Sequence, residues 1–281
     1  MNTIIKQTFQ QLREQPLISI VSIVGTALSL FLIMLVVMIQ QVKVVPYAPE
    51  SNRDRMLHVK FGSVQEGEGS SNGPLAISTI NAIYKKMKTP EVVTTYMYDP
   101  TKQPLSMDDT KSFTADVKLT DADFWKVFDF SFIDGKPYNE AEFKSGIALA
   151  VIDKTTARQL FGTDNGVTGR MFKLKHIPYK VSGVVNDVST LATTAYAQIW
   201  LPYTTDKEIS ETTWNDILGY FSVTILAHSE ADKAKVHEEA VTNLNKFNLT
   251  IKNKGIKLID RNRPYDTEKE SIDFGANIEP D

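Results

Sequence analysis

The chain starts with one long apolar segment, and the residues after it are mixed in polarity. Residues 17–39 carry no charge, and 18 of these 23 residues are apolar. As a helix this segment would be about 35 Å long, enough to cross a hydrocarbon core of roughly 30 Å with some tilt. The pattern predicts one N-terminal transmembrane helix followed by a large domain.

The five remaining residues of that segment are small, and their spacing is regular. Ser19, Ser22, Thr26 and Ser29 recur at i, i+3, i+7 and i+10, which places them on one face of a helix, and Gly25 flanks that face. Small residues four positions apart let helix backbones approach closely in lipid. We predict a helix-packing face formed by Ser19, Ser22, Gly25, Thr26 and Ser29. The alternative is that small polar residues are simply tolerated in the span.

The flanks of the segment indicate how it is oriented. Residues 1–16 form a leader whose apolar positions have helical spacing, and Pro16 ends it, which predicts an amphipathic helix on the cytoplasmic membrane surface. Lys43 is the only charged residue in the first turns after the span, and large domains translocate largely regardless of their charge. The N-terminus is therefore expected in the cytoplasm and the domain outside. A cleaved signal peptide is the less favoured reading, because its apolar core would be shorter and followed by an A-x-A-like site.

The outer part of the chain contains alternating strand and helix patterns. A β-branched and aromatic run, an alternating segment and an apolar run predict strands over residues 92–97, 113–119 and 146–152. Apolar stripes at helical spacing predict helices over residues 78–87 and from Ser229 or Glu230 to about Asn248. Residues 64–74 are rich in Gly, Ser and Glu and predict an exposed flexible loop.

Cap and turn residues predict further helices and a hairpin in the central part of the chain. Thr120 or Asp121 is expected to cap a short helix through Phe128, and Asp153 to cap a helix that Gly162 ends. Residues 171–175 and 181–185 flank Pro178 and predict a hairpin, and residues 256–259 predict a final strand.

The order of these elements predicts an α+β fold. Two β-α-β halves bracket a β-rich block, which predicts an extracytoplasmic α+β domain of two subdomains. This domain would follow the one N-terminal transmembrane helix. The expected division is a leader (residues 1–16), a transmembrane helix (17–39), an α+β subdomain (40–105 and 210–265), an inserted β-rich subdomain (106–209) and a terminal segment (266–281).

Composition removes several classes of function. The formal net charge of −3 and the pI near 5.9 argue against a nucleic-acid partner. The chain has no Cys, which excludes disulfides, thiol catalysis and Cys-ligated metal sites.

No motif in the chain predicts catalysis, a cofactor or a metal. Residues 69–73 match G-x-S-x-G with Ser71 at the centre, but a nucleophile elbow needs a strand before it and a helix directly after it. The glycines between residues 162 and 169 lack the Gly-Lys-Ser/Thr ending of a phosphate-binding loop. His237-Glu238 starts an HExxH-like string, but residue 241 is Val. We expect no enzyme activity in this chain.

The central block contains an ordered set of segments with a recognisable character. They are DADFWKVFDFSFIDGKPY (residues 121–138), IALAVIDKTTARQLFG (147–162), GVTG (166–169) and YKVSGVVNDV (179–188). In this order the chain resembles the extracytoplasmic core domain of MacB-like ABC transporter permeases, the wider FtsX-type group. The resemblance runs through nearly the whole chain. The aromatic residues within it are expected to be core aromatics: Phe124, Trp125, Phe128, Phe130 and Phe132.

The resemblance implies a function and a set of partners. A MacB-like permease would couple ATP hydrolysis by a separate ABC ATPase subunit to rearrangement of the outer domains, for efflux or for mechanotransmission. ATP would bind that partner, and no cofactor is expected in this chain. Further implied partners are a second permease copy or paralogue, the lipid bilayer, and a periplasmic adaptor or outer-membrane component. The implied location is the bacterial inner membrane, with the main domain in the periplasm or outside the cell.

The chain departs from the family in one respect. Such permeases have four spans, three of them after the outer domain, whereas residues 266–281 would only lead to a missing second span. The expectation is therefore a permease truncated before its last three spans. The alternative is a stand-alone, single-pass anchored binding or sensor domain.

Overall fold

The computed structural model describes residues 16–44, 46–66, 69–107, 112–251 and 256–259. The chain divides into two units, Met1–Val45 and Pro46–Asp281. The first contains helix α1, Pro16–Val44, whose apolar stretch Pro16–Ile39 is long enough to cross a membrane, has a mean hydropathy of 2.7 and has none of its residues buried in the protein. The predicted amphipathic leader lies outside the described residues, except for Pro16.

The second unit, the outer domain, is an α+β domain. Its strands are β1 Met56–Val59, β2 Gly62–Glu66, β3 Gly69–Gly73, β4 Val92–Met97, β5 Thr101–Ser106, β6 Ser112–Thr120, β7 Phe132–Gly135, β8 Leu149–Asp153, β9 Met171–Leu174, β10 Ile177–Val185, β11 Ile199–Pro202, β12 Phe221–Leu226 and β13 Ile256–Ile259. Its helices are α2 Ile77–Ile83, α3 Phe124–Val127, α4 Glu140–Ser145, α5 Lys154–Phe161, α6 Lys207–Glu211 and α7 Lys233–Ile251.

Ten strands form the main sheet, in the order β1-β12-β4-β6-β11-β8-β10-β9-β5, with β7 paired to β10. Strand β5 also pairs with β6, so that β6, β11, β8, β10, β9 and β5 close into a ring, here called the barrel. Strand β6 pairs with β4 only at Tyr96 and Thr120, and this pairing continues the open part of the sheet into the barrel. The division into subdomains at residues 105 and 210 stays a prediction.

A second sheet of three strands, β13-β2-β3, corrects one expectation. Residues 64–74 were expected to be a flexible loop, but most of them belong to strands β2 and β3, which pair from Gly62 and Gly73 to Glu66 and Gly69. Buried Val64 on β2 lies opposite buried Leu258 on β13. Because this partner strand lies almost 200 residues further along the chain, the local composition contains no sign of it.

The strands of the open part of the sheet have two buried faces of different character. The apolar face, formed by Leu57, Val59, Val93, Met97, Val223 and Ile225, belongs to one continuous cluster with Ile80 and Ile83 of α2 and Val236 and Leu244 of α7. Glu239 of α7 accepts hydrogen bonds from the backbone amides of Lys88 and Thr89, just after α2. These contacts hold both helices over the sheet.

The cap predictions for α5 are confirmed, whereas α3 has Asp123 at its N-cap position and ends at Val127. The Asp153 side chain accepts a hydrogen bond from Thr156 N at the start of α5, and Gly162 ends that helix with a left-handed backbone (φ 75°). Asp121 accepts a hydrogen bond from Phe124 N at the start of α3. Strands β9 and β10 form an antiparallel hairpin, but its register differs from the prediction: residues 171–174 pair with 177–180, and residues 181–185 pair with β8 and β7 instead.

Other boundaries and elements differ from the expectation. Helix α2 ends at Ile83, and α7 begins at Lys233 after a turn of 3-10 helix. Strands β5 and β7 and helices α4 and α6 were not predicted, because each has six residues or fewer and lacks a clear apolar period.

Candidate functional site

The residues predicted to form the packing face lie together on one side of α1. Thr26 Oγ1 donates to the carbonyl oxygen of Ser22 at 2.7 Å, and Ser29 Oγ donates to that of Gly25 at 2.8 Å. Both hydroxyls are therefore satisfied within the helix. Apart from the backbone of the helix itself and the two neighbouring residues, no atom lies within 4 Å of the point where a Cβ on Gly25 would stand. The result is a low, exposed face suited to close helix packing.

The second candidate site is a row of buried polar side chains in the outer domain, on the sheet face opposite α2 and α7. Register pairs His58 with Thr224, Thr224 with Thr94, and Tyr96 with both Ser222 and Thr120. Residues directly opposite each other in paired strands project from the same face of a sheet. This polar face consists of His58, Thr94, Tyr96, Lys118, Thr120, Ser222 and Thr224, all of them buried.

His58 lies on β1 at one edge of the polar face. Its Nδ1 is 2.8 Å from Thr224 Oγ1, and that hydroxyl is 3.2 Å from the hydroxyl of Tyr96. Burial, together with the positive charges of Lys60 and Arg53, lowers the pKa of His58 to about 3. The imidazole is therefore neutral at any pH near 7 and acts as a hydrogen-bonding group.

Lys118 lies on β6 and is fully buried. Its Nζ donates to the backbone carbonyl oxygens of Thr194 (2.7 Å) and Thr193 (3.2 Å) and lies 5.5 Å from the centroid of the Tyr96 ring. Burial lowers the pKa of Lys118 to about 7, although the carboxylates of Glu50 and Asp99 oppose this shift. The side chain thus ties the sheet to the connection between β10 and β11.

A buried ion pair lies in residues 46–55, here called the entry segment, which leads from α1 into the outer domain. The Glu50 side chain is 1% exposed and that of Arg53 is 4% exposed. Arg53 donates from Nε to Glu50 Oε2 at 2.8 Å, and its Nη2 lies 2.7 Å from the same oxygen. The guanidinium stacks 4.3 Å from the centroid of the Tyr47 ring. The other carboxylate oxygen of Glu50 accepts a hydrogen bond from Ala195 N at 3.2 Å.

Asp121 links α2, α3 and β4. Its carboxylate accepts hydrogen bonds from Phe124 N, Thr94 Oγ1 and Thr95 N, and Lys85 Nζ lies 2.7 Å from it. Burial acts to lower the pKa of Lys85, but the carboxylates of Asp121 and Asp123 outweigh it and raise that pKa. The pair Asp121 and Asp123 therefore has a structural role.

Aromatic residues fill the space next to the polar face. Phe124 and Phe128 are fully buried, and Trp125 is partly buried and packed against them, together with Trp200 and Tyr138. These rings meet mostly edge to face, the arrangement that their quadrupoles favour. The prediction that these aromatics form core contacts is confirmed.

The motifs set aside in the sequence stay apart from any catalytic arrangement. Ser71 lies on the exposed strand β3. Among the described residues no group of three or more His, Asp or Glu side chains is placed to hold a metal ion.

Sequence reasoning missed Glu50, Arg53, Lys118 and His58. Lys118 lies in the alternating pattern of residues 113–119, at a position expected to face solvent. A charged residue in an alternating strand normally marks the solvated face, and no local signal distinguishes the exception.

The comparison with protein families gives one match over most of the chain. A family described as "MacB-like periplasmic core domain" matches residues 19–243, from within α1 into α7. Among individual proteins, the macrolide export ATP-binding/permease protein MacB of Escherichia coli (strain K12) and that of Shigella flexneri are each 27% identical over 84 residues. The aligned segment spans 30% of this chain and only 13% of each of those proteins.

Solved structures give the same fold. The periplasmic region of MacB from Actinobacillus actinomycetemcomitans aligns with a TM-score of 0.50 at 18% identity, covering 79% of this chain and 94% of that one. A domain of a putative permease protein from Porphyromonas gingivalis aligns with a TM-score of 0.51 at 16% identity, covering 74% of this chain and 88% of that one. At such identity the likeness concerns the fold alone.

Proposed function

This chain belongs to the family of proteins with a MacB-like periplasmic core domain, and we propose that it is a permease subunit, or part of one, of a MacB-like ABC transporter. The observation that carries the proposal is the combination of two parts in one chain. One is a membrane-length helix that its own chain leaves uncovered, and the other is the periplasmic core domain.

In this proposal ATP is hydrolysed by a separate ABC ATPase subunit on the cytoplasmic side, and the chain has no catalytic step of its own. Closure of the ATPase would displace α1 and thereby rearrange the outer domain, since the entry segment connects the two directly. This rearrangement of the outer domain would drive efflux or mechanotransmission. The printed names of the Escherichia coli and Shigella relatives describe macrolide export for those proteins.

We further propose that α1 spans the bacterial inner membrane with its N-terminus in the cytoplasm and the outer domain in the periplasm or outside the cell. Its 24-residue apolar stretch matches the thickness of a bilayer. The family match supports an extracytoplasmic position for the rest of the chain.

The small-residue face of α1 is proposed as the contact with other membrane helices, in a second permease copy or a paralogue. Lipid provides no hydrophobic driving force between helices, so close backbone contact at small residues is what favours association. The satisfied hydroxyls of Thr26 and Ser29 make such contact possible without leaving polar groups unpaired.

The test is in vivo cross-linking of the full chain in bacterial membranes, with identification of the partners by mass spectrometry. We expect an ABC ATPase subunit among the cross-linked proteins. The triple variant Ser22→Leu, Gly25→Leu, Ser29→Leu should lose the cross-links to a second permease copy or paralogue. The matched control, Val24→Leu, Ala27→Leu, Phe31→Leu, changes the other side of the helix and should keep them.

Two results would contradict the proposal. Cross-linking that never yields an ABC ATPase would favour the stand-alone anchored binding or sensor domain. Equal assembly of the two triple variants would exclude the small-residue face as the contact, while leaving the ATPase assignment in place.

A further inference from the structure

The loop between β10 and β11, residues 186–198, is held by charged side chains from two different parts of the outer domain. Lys118, on β6, donates to the carbonyl oxygen of Thr194, and Glu50, in the entry segment, accepts from the amide of Ala195. The carbonyl and the amide belong to one peptide unit, which therefore lies between a buried ammonium and a buried carboxylate. In a trans peptide these two groups point in opposite directions, so the unit bridges Lys118 and Glu50 with its dipole aligned to both charges.

The Glu50 carboxylate is itself fixed within the entry segment. Arg53 pairs with it at 2.7 Å and stacks on the Tyr47 ring, so that Tyr47, Arg53 and Glu50 form a continuous chain of contacts. The segment is also joined to the region after α3, where Asp129 N donates to the carbonyl oxygen of Pro49 at 2.7 Å. A displacement of the entry segment therefore moves the Glu50 carboxylate.

The loop is in turn attached to the barrel. Trp200 Nε1, on β11, donates to the carbonyl oxygen of Ala195 at 3.1 Å. Gln198 N donates to the carbonyl oxygen of Asp116, on β6, and the Gln198 side chain accepts from Asp116 N. Ala192, Ala195 and Ala197 are fully buried, so these positions of the loop are packed as part of the core.

We propose that the Thr194–Ala195 peptide is the joint through which the entry segment passes displacement to the barrel. Glu50 is the positioning residue on the side of the entry segment, and Lys118 is the positioning residue on the side of the sheet. The entry segment has a second polar contact with the sheet, the Arg55–Glu91 pair at the start of β4. This pair lies at the surface, where the two side chains are 24% and 41% exposed. Buried charge-assisted hydrogen bonds resist displacement more strongly than an exposed pair does.

The inference rests on the proposed function for the source of the displacement, which is movement of α1. The joint itself is a property of the outer domain and is testable without any ATPase. A negative result here leaves the permease assignment standing, and failure to find an ATPase partner leaves the joint intact.

The first experiment measures hydrogen exchange at the backbone amide of Ala195 in the full chain in detergent micelles. The double variant Glu50→Met, Arg53→Met removes the acceptor of this amide without leaving an uncompensated buried charge. We expect exchange at Ala195 to accelerate about tenfold or more, with the amides of α7 unchanged. The control Glu91→Gln breaks the exposed pair of the same segment and should leave Ala195 unaffected.

A second measurement tests transmission itself. Tyr47→Ala removes the ring under Arg53 and should accelerate exchange across residues 189–197 in the otherwise native chain. In the Glu50→Met, Arg53→Met background the same substitution should have no further effect on these amides. Equal acceleration in both backgrounds would overturn the proposal, as would native exchange at Ala195 in the double variant.

Lys118→Met provides an independent variant on the other side of the joint, which matters if the double variant fails to fold. We expect it also to accelerate exchange at Ala195, because it frees the carbonyl of the same peptide unit. Native protection of Ala195 in this variant would overturn the role of Lys118.

Discussion

The two faces of the open part of the sheet are equally buried but differ in what they bury. On one face, residues such as Val223 and Ile225 lie under α2 and α7 in a continuous apolar cluster. On the other, His58, Lys118 and Thr224 are buried just as deeply, and each has a named hydrogen-bond partner. The apolar face needs only a complementary shape, whereas every group on the polar face needs a particular partner.

This difference indicates that the two faces have different roles. Apolar contact is non-directional and accounts for most of the stabilisation of the fold. Buried charges give little net stabilisation, but they penalise any arrangement in which a partner is missing. Lys118 of the polar face donates to the carbonyl oxygens of Thr193 and Thr194, so this face holds the β10–β11 loop in a single position.

The largest effect is expected from breaking the buried ion pair. Arg53→Met leaves the Glu50 carboxylate buried without its counter-ion, and we expect a loss of about 3–5 kcal/mol in the free energy of unfolding. Denaturant titration followed by tryptophan fluorescence measures this, since all three Trp residues lie in the outer domain. The double variant with Glu50→Met should recover much of the loss. An Arg53→Met variant as stable as the native chain would contradict the expectation that the buried Glu50 carboxylate needs its counter-ion.

A somewhat smaller effect is expected on the apolar face. Ile80, on α2, is 0% exposed, and Ile80→Ala should cost about 3 kcal/mol through lost burial and the cavity left behind. The same titration measures it. Ile147→Ala is the matched control, because that side chain is 54% exposed and should cost little. Equal costs at the two positions would show that burial does not explain the result.

The third prediction concerns pH and separates the two faces directly. The pKa of Lys118 is about 7 in the folded protein and 10.5 without the effect of folding, so above pH 7 the unfolded chain binds more protons at this position. Burial of the charged ammonium therefore destabilises the protein most below pH 7, and this penalty diminishes as pH rises toward 10.5. Between pH 7 and 8.5 the native chain should gain about 1.5 kcal/mol relative to Lys118→Met.

The check on this prediction is a set of unfolding titrations at several pH values. The free energy of unfolding of the native chain minus that of Lys118→Met should rise with pH. The corresponding difference for Ile80→Ala should not change with pH, because that position on the apolar face does not titrate. Parallel profiles for Lys118→Met and the native chain would mean that folding does not lower the pKa of this lysine.

The smallest effect is expected for the exposed pair. Arg55 Nη1 lies 2.6 Å from Glu91 Oε2, but both side chains contact solvent, so Glu91→Gln should cost less than about 1 kcal/mol. The remaining effect should diminish further at high salt, which screens exposed charges. A cost comparable to that of Arg53→Met would show that burial does not distinguish the two pairs.

Sequence pattern predicted much of the fold where the signal is local. The span in α1, the alternating strand β6, the apolar strand β8 and the caps at Asp153 and Gly162 each follow from neighbouring residues alone. The prediction was wrong for strands β2 and β3, whose polar residues resemble a loop. Their regular structure comes from backbone pairing, of β2 with β13 and of β3 with β2, and their own residues show no alternating apolar pattern that would reveal it.

The candidate sites divide in the same way. The small-residue face of α1 was predicted, because helical spacing alone places Ser19, Ser22, Thr26 and Ser29 on one side, and its packing role stays a prediction. Glu50, Arg53 and Lys118 were not predicted, because charged residues are almost always exposed.

The sequence by itself thus determined the membrane-length helix, the α+β class and the helix face, since each depends on residues within a few turns or strand positions of one another. Only the tertiary structure decided the closure of the barrel, the polar face and the joint at Thr194–Ala195. Glu50 and Ala195 are 145 positions apart, and Lys118 and Thr194 are 76 apart. Whether a charged side chain is buried against a particular peptide depends on how distant segments pack, and a local pattern contains no information about that packing.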